Sequence, residues 1–227
     1  DRVTQLEHRF LDVVRTLGES IESKDHYTQG HCECVASYAC ALASASGMDS
    51  ERLRWFRMRA LLHDVGEIVV PSSILNKPGP LNVEEWATMK KHPQAGVHLL
   101  REIEFPWDMQ PMVRHHHEHW DGSGYPDGRA GDDIPLSARI LCLADVFDVL
   151  TSGRSYRARL TPGHPLSVMH EDRGTIFDPA LFDVFEDLHA PARRRAPRSK
   201  KRNRLGWSHP PSEGHRYPAA WSVNNSA

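Results

Sequence analysis

Nothing in this sequence is suited to crossing a membrane or to being held together by disulfides. No apolar run approaches the roughly 20 residues that a membrane span needs, and no signal-peptide pattern opens the chain. Cysteine is scarce. Cys32, Cys34, Cys40 and Cys142 are too few and too unevenly spaced for a disulfide framework, so a reducing cytoplasm is the expected location. Strand-like alternation of useful length is missing too, which leaves an all-α fold. There is no initiator Met, and residue 1 is expected to be a cut point inside a longer protein.

Basic charge is largely absent from the body of the chain. Nine Lys or Arg and one Glu lie from Pro191 to the end, a net of +8; against a whole-chain charge of −2, residues 1–190 carry −10. An acidic body argues against binding nucleic acid through a broad basic face. The stretch 191–227 is rich in Arg, Lys, Pro and Ser without periodicity, and it is expected to be a disordered tail with at most weak affinity for nucleic acid.

Helical spacing fills the rest. Val3, Leu6, Phe10, Val13, Leu17 and Ile21 recur at steps of three and four, one apolar seam of a helix over residues 1–23. That seam suits either a coiled-coil linker and homodimer contact or packing on the domain's own core. Further helices are expected at roughly 30–46, 50–64, 83–91, 93–103, 108–118, 136–152 and 178–189. Asn82 with Glu85 forms a capping-box pattern, and Pro93 suits a first helical turn. The Gly- and Pro-containing stretch 119–135 reads as a loop. Residues 24–190 form the expected main domain.

The chemistry lies in histidine and carboxylate placement. His31 begins a helix, His63 and Asp64 end another in "LLHDVG", His92 ends a third, and His116 and His117 end a fourth. Asp145 sits inside the apolar "ILCLADVFDVLTS", where a carboxylate is costly to bury without a partner or a cation. Five imidazoles and two carboxylates can supply two divalent metals with mixed nitrogen and oxygen ligands, Asp64 bridging them. Such ligands suit Fe, Mn, Ni or Zn, and a dinuclear centre would hold its ions roughly 3.5–4 Å apart over an activated water. The remaining histidines read as structural or solvent-exposed. His115 and His119, flanking the central pair, are expected to be non-ligands.

The motifs "HDVGE" and "HHHEHWDGSGYPDG" resemble the HD-GYP domain, a branch of the HD metal-dependent phosphohydrolases. "KDHYTQGH", "IVVPSSILNKPGPLNVEEWATMKKHP", "IPLSARILCLADVFDVLTSGRSYR" and "GTIFDP" extend the resemblance over about residues 24–189. It implies a helical-bundle phosphodiesterase that hydrolyses cyclic di-GMP to pGpG or GMP, as the output module of a bacterial signalling protein. It places the metal ligands on His31, His63, Asp64, His92, His116, His117 and Asp145, with His63 and Asp64 as the catalytic pair. Asp25, Arg154 and Arg157 match positions near the substrate. Gly122, Gly124, Tyr125 and Pro126 match the family's loop for partners, among them diguanylate cyclase (GGDEF) domains.

Two positions depart from the family pattern. Glu67 stands where the family usually has a Lys near the substrate phosphate, replacing an attractive charge by a repulsive one worth about 1 kcal/mol or more. That keeps open a weakly active module that binds cyclic di-GMP or recruits a partner, beside hydrolysis of another cyclic dinucleotide. Tyr27 replaces a Glu that brings a third metal to some members, which favours two.

Overall fold

The computed structural model describes residues 2–24, 30–103, 105, 108–152 and 165–189, with side chains from residue 9 onward. Asp25, Tyr27, Arg154, Arg157 and the tail 191–227 lie outside the described residues. Among the described residues ten α-helices follow one another: α1 (Arg2–Glu22), α2 (His31–Ala45), α3 (Ser50–Leu61), α4 (Ser72–Leu75), α5 (Val83–Met89), α6 (His92–Leu100), α7 (Gln110–His115), α8 (Leu136–Thr151), α9 (Pro165–His170) and α10 (Pro179–His189). Two short 3-10 turns, Val65–Val69 and Gly131–Asp133, complete the set. Among the described residues there is no strand, only an isolated bridge between Arg173 and Phe177, as the missing alternation predicts.

Helix α8 is the axis of the bundle. Every residue from Ile140 to Asp148 is buried, the pattern of a helix surrounded by others rather than lying on a surface. Helix α2 packs along it with Val35, Ala36, Ala39, Leu42 and Ala43 inward. The small residues on that face let the two backbones approach closely. Phe56 of α3 and Phe182 and Phe185 of α10 fill the flanks and are fully buried. Truncating any of them to Ala would cost about 3–5 kcal/mol.

Helix α1 divides its seam. Val14 and Ile21 are buried in the core, whereas Phe10, Val13 and Leu17 are 39%, 64% and 42% exposed. These are two apolar stripes one position apart, one packed on α2, α3 and the Val65–Val69 turn and one facing solvent. The capping box forms as expected, Asn82 Oδ1 accepting from Glu85 N–H and Glu85 Oε2 from Asn82 N–H, both at 2.8 Å.

Three elements escape the periodicity argument. The Val65–Val69 turn and α4 are too short to show a repeat. Helix α9 starts at Pro165, whose fixed φ suits the first helical position, and it is too short to show a repeat.

Candidate metal centre

The expected ligands converge from five parts of the chain. His31 is the first residue of α2, His63 and Asp64 follow α3, His92 opens α6, His116 and His117 follow α7, and Asp145 sits mid-way along α8. All but Asp64 are essentially buried; the Asp64 side chain is 17% exposed and is the member that meets solvent.

Asp64 is also the centre of the geometry. Its Oδ2 lies 3.0 Å from His63 Nε2 and 4.0 Å from His31 Nε2, while its Oδ1 lies 3.4 Å from His92 Nε2 and 3.3 Å from His116 Nε2. His117 belongs with the second set, its ligand atom within 4.8 Å of those of Asp64, His92 and His116. Asp145 Oδ1 lies 3.3 Å from His31 Nε2, on the first side. The carboxylate thus has one oxygen facing each half of the cluster.

The unused ring nitrogens settle how the imidazoles point. Nδ1 of His63, His92 and His116 donates to the carbonyl three residues earlier, those of Ala60, Met89 and Val113, at 2.8, 2.9 and 2.9 Å. With Nδ1 as the donor to the backbone, Nε2 is the nitrogen that each ring turns toward Asp64. His31 differs, its Nδ1 lying 2.7 Å from Asp148 Oδ2. Asp148 was not picked out from the sequence. It stands three residues after Asp145 on the same helix, hence on the same face, and this spacing was its available signal.

The electrostatics suit a cation. Burial alone would raise the Asp64 carboxyl, but His63, His116 and His92 hold it well below the ordinary carboxylate range. Burial pushes the imidazoles of His116 and His117 down, His117 most, with His116 and His92 adding to it. His92 Nε2 and His116 Nε2 face each other at 3.3 Å, and His63 Nε2 and Asp64 Oδ1 are buried without a hydrogen-bond partner. Buried polar atoms are rarely left so. Lone pairs aimed at shared points are what a divalent ion would satisfy, and the donor set fits one.

Close backbone approach brings the halves together. A Cβ on Gly66 would lie 1.9 Å from the His92 carbonyl oxygen, so only glycine lets the turn after Asp64 lie on the start of α6. The loop after His117 uses the same device. A Cβ on Gly124 would meet His119 N at 2.3 Å and His117 O at 2.5 Å, and Tyr125 N–H donates to His117 O at 3.1 Å. The Tyr125 ring stacks on His117, centroids 4.8 Å apart and planes 24° from parallel.

The flanking histidines lie apart from the Asp64 cluster. His115 Nδ1 is 3.7 Å from Glu118 Oε1 and 3.5 Å from Asp127 Oδ2, and His119 Nδ1 is 2.9 Å from Ser123 Oγ. Glu118 is buried and accepts the N–H groups of Asp127 and Arg129 at 2.8 and 3.0 Å, while Arg114 grips Asp127 with two bonds of 2.9 and 2.6 Å. These contacts brace the loop. Gly122, Gly124, Tyr125 and Pro126 are half-buried, and Ser123, Asp127 and Gly128 form its exposed rim. Glu67 borders a water-sized cavity of about 10 Å³ together with Glu22, His31, Cys32 and Asp64.

The chain belongs to the HD domain family, which matches residues 15–181. The curated relatives it matches include RpfG of Xanthomonas campestris, a cyclic di-GMP phosphodiesterase response regulator, at 39% identity over 80% of this chain and 49% of that protein. A 3'3'-cGAMP-specific phosphodiesterase of Vibrio cholerae is 37% identical over 76% of this chain and 34% of its own length. The chain therefore spans about half or less of these relatives. Among solved structures, a cyclic GMP-AMP-specific phosphodiesterase of V. cholerae superposes with a TM-score of 0.63 at 22% identity, over 81% of this chain and 49% of that one. The HD-type helical fold is shared.

Proposed function

We propose that this domain is a metal-dependent phosphodiesterase that hydrolyses cyclic di-GMP to pGpG or GMP, serving as the output module of a signalling protein. The observation that carries the reading is the division of nitrogen ligands about the two oxygens of Asp64. In this reading His31, His63, Asp64 and Asp145 hold one ion, and Asp64, His92, His116 and His117 the other. Iron suits the mixed donors best, with Mn, Ni or Zn as alternatives.

Bound there, two divalent ions would supply Lewis acidity to the phosphate and lower the pKa of a water at neutral pH. The chain's own residues do the rest. Asp64, the exposed member, orients the reacting face; His63 beside it keeps its Nε2 toward the centre through the bond to Ala60. The ionised carboxylates of Asp64 and Asp145 would offset half the charge of two divalent ions, leaving the other half to meet the charge that grows on the phosphodiester. Arg154 and Arg157 would grip a phosphate through planar paired hydrogen bonds, with Asp25 near the substrate. Localisation in the cytoplasm fits the free cysteines, and no helix among the described residues is long and apolar enough to cross a membrane.

Two interaction roles belong to the same reading. The exposed rim of the loop would meet a diguanylate cyclase domain, and the stripe Phe10, Val13 and Leu17 a second copy of α1 in a homodimer. The relatives, phosphodiesterases by name, weigh against a purely receptor-like module despite Glu67. Comparable identity to a 3'3'-cGAMP-specific enzyme supports one second reading, in which the mixed dinucleotide is the preferred substrate.

The test is anaerobic reconstitution with Fe(II) or Mn(II), then chromatography of products from cyclic di-GMP and 3'3'-cGAMP. Hydrolysis of cyclic di-GMP at the higher kcat/KM supports the main reading, and preference for the mixed dinucleotide supports the second. No product from protein carrying about two metals would overturn both.

A further inference from the structure

The last turn of α1 reaches the metal centre. Glu22, the final residue of that helix, is 6% exposed. Its Oε2 accepts the Gly30 N–H at 3.0 Å and its Oε1 accepts the Cys32 N–H. These amides stand on either side of His31 in the first turn of α2.

A helix start leaves amide donors unpaired and carries partial positive charge, and an Asp, Asn, Ser or Thr at the cap position usually answers both. Here the cap position is Gly30, which has no side chain to do so. The carboxylate comes instead from eight residues earlier, on another helix.

Two residues after Glu22, Lys24 makes the matching contact at the other ligand segment. Its Nζ donates to the carbonyls of Ile68 at 2.7 Å and Val70 at 2.5 Å, with Glu67 O at 3.4 Å. These carbonyls end the 3-10 turn that begins just after Asp64. Further back on α1, a Cβ on Gly18 would lie 2.9 Å from Leu61 O, at the end of the helix that leads to His63. One end of α1 thus grips the segments that carry His31, His63 and Asp64.

We infer that Glu22 is a positioning residue for the metal centre: it fixes the first turn of α2, and with it the His31 imidazole, from a helix that contributes no ligand. This rests on the metal-binding reading above and adds to it a specific carboxylate contact through which α1 supports the His31 side. Helix α1 is then part of the centre's support as well as a connection to it.

The test compares Mn(II) binding, by titration calorimetry and by the spin-coupled resonance of a paired site, in the intact chain and its variants. Glu22→Ala should weaken binding at one of two sites by about 10-fold or more, the scale of losing a group that orients a ligand, and should lose the coupled signal. Glu22→Gln, which keeps one acceptor, should fall between. Amide exchange at Gly30 and Cys32 should quicken in both.

Val14→Ala is the control for general loosening of α1. It removes core packing from the same helix and should lower the melting temperature while leaving Mn(II) affinity unchanged. If Glu22→Ala fails to fold, Glu22→Gln carries the test alone. Wild-type affinity with unchanged amide protection in the Glu22 variants, or equal loss in Val14→Ala, would overturn the inference. Failure of the unaltered chain to bind Mn(II) would instead overturn the metal-binding reading.

Discussion

Asp148 Oδ2 stands 2.7 Å from His31 Nδ1 while Asp145, one helical turn earlier, reaches the other nitrogen of the same ring at 3.3 Å. One imidazole is therefore held between two carboxylates of α8, one on the metal side and one behind it. A carboxylate behind a ligating imidazole fixes its orientation and raises its basicity. Asp148→Ala should weaken metal binding by about 10- to 100-fold, read by competition with a chelating dye. Unchanged affinity would remove Asp148 from the centre.

Gly124 admits no side chain without moving the backbone around His117 and His119. Gly124→Ala should cost at least about 2 kcal/mol in urea unfolding, in the range of overpacking a tight site. Gly128→Ala, where φ is +66° but the nearest atom to an added Cβ is 3.6 Å away, should cost only about 1 kcal/mol. Equal costs would mean that the close approach to His117 is not what demands glycine.

Burial, with Arg129 adding to it, lowers the His115 imidazole to about 4, against about 6.5 for an unfolded histidine. Between these values the unfolded chain binds the proton and the folded chain does not. His115 therefore contributes stability that is present above about pH 6.5 and is lost as pH falls toward 4. His115→Gln should make the stability of the metal-free protein fall less steeply across that window, by up to about 1.4 kcal/mol per pH unit. Urea midpoints at several pH values would read it, and parallel curves for the two proteins would refute it.

Glu67 borders a water-sized cavity with His31 and Asp64, and it stands where the family resemblance puts a Lys near the substrate phosphate. Glu67→Lys should raise kcat/KM for cyclic di-GMP by about fivefold or more, the equivalent of about 1 kcal/mol. The gain should shrink at high salt. A decrease would show that Glu67 serves the reaction or the centre's support.

Much of this was legible in residue order. The long helices show in apolar spacing, and the buried Asp145 shows in the cost of placing a carboxylate within an apolar stretch. His115 and His119 illustrate what spacing leaves undecided: five consecutive residues held four imidazoles, and the termination of α7 selects which face inward. Glu22 and Lys24 were not legible, because each acts on a segment further along the chain, whereas Asp148 was signalled only by its three-residue spacing from Asp145. Gly66 had a similar limit. Its close contact with His92 exists only once α6 has packed against the turn.

The three carbonyls that hold His63, His92 and His116 by Nδ1 share a further property. Ala60, Met89 and Val113 each lie among the last four residues of a helix, α3, α5 and α7, where carbonyls lack the amide of the next turn. For Met89 the residue that would supply it is Pro93, which has no N–H at all. The peptide groups at which these helices stop are thus the same groups that choose the imidazole tautomer. At all three rings it is Nε2 that faces an arriving cation, and no tautomeric shift has to precede binding.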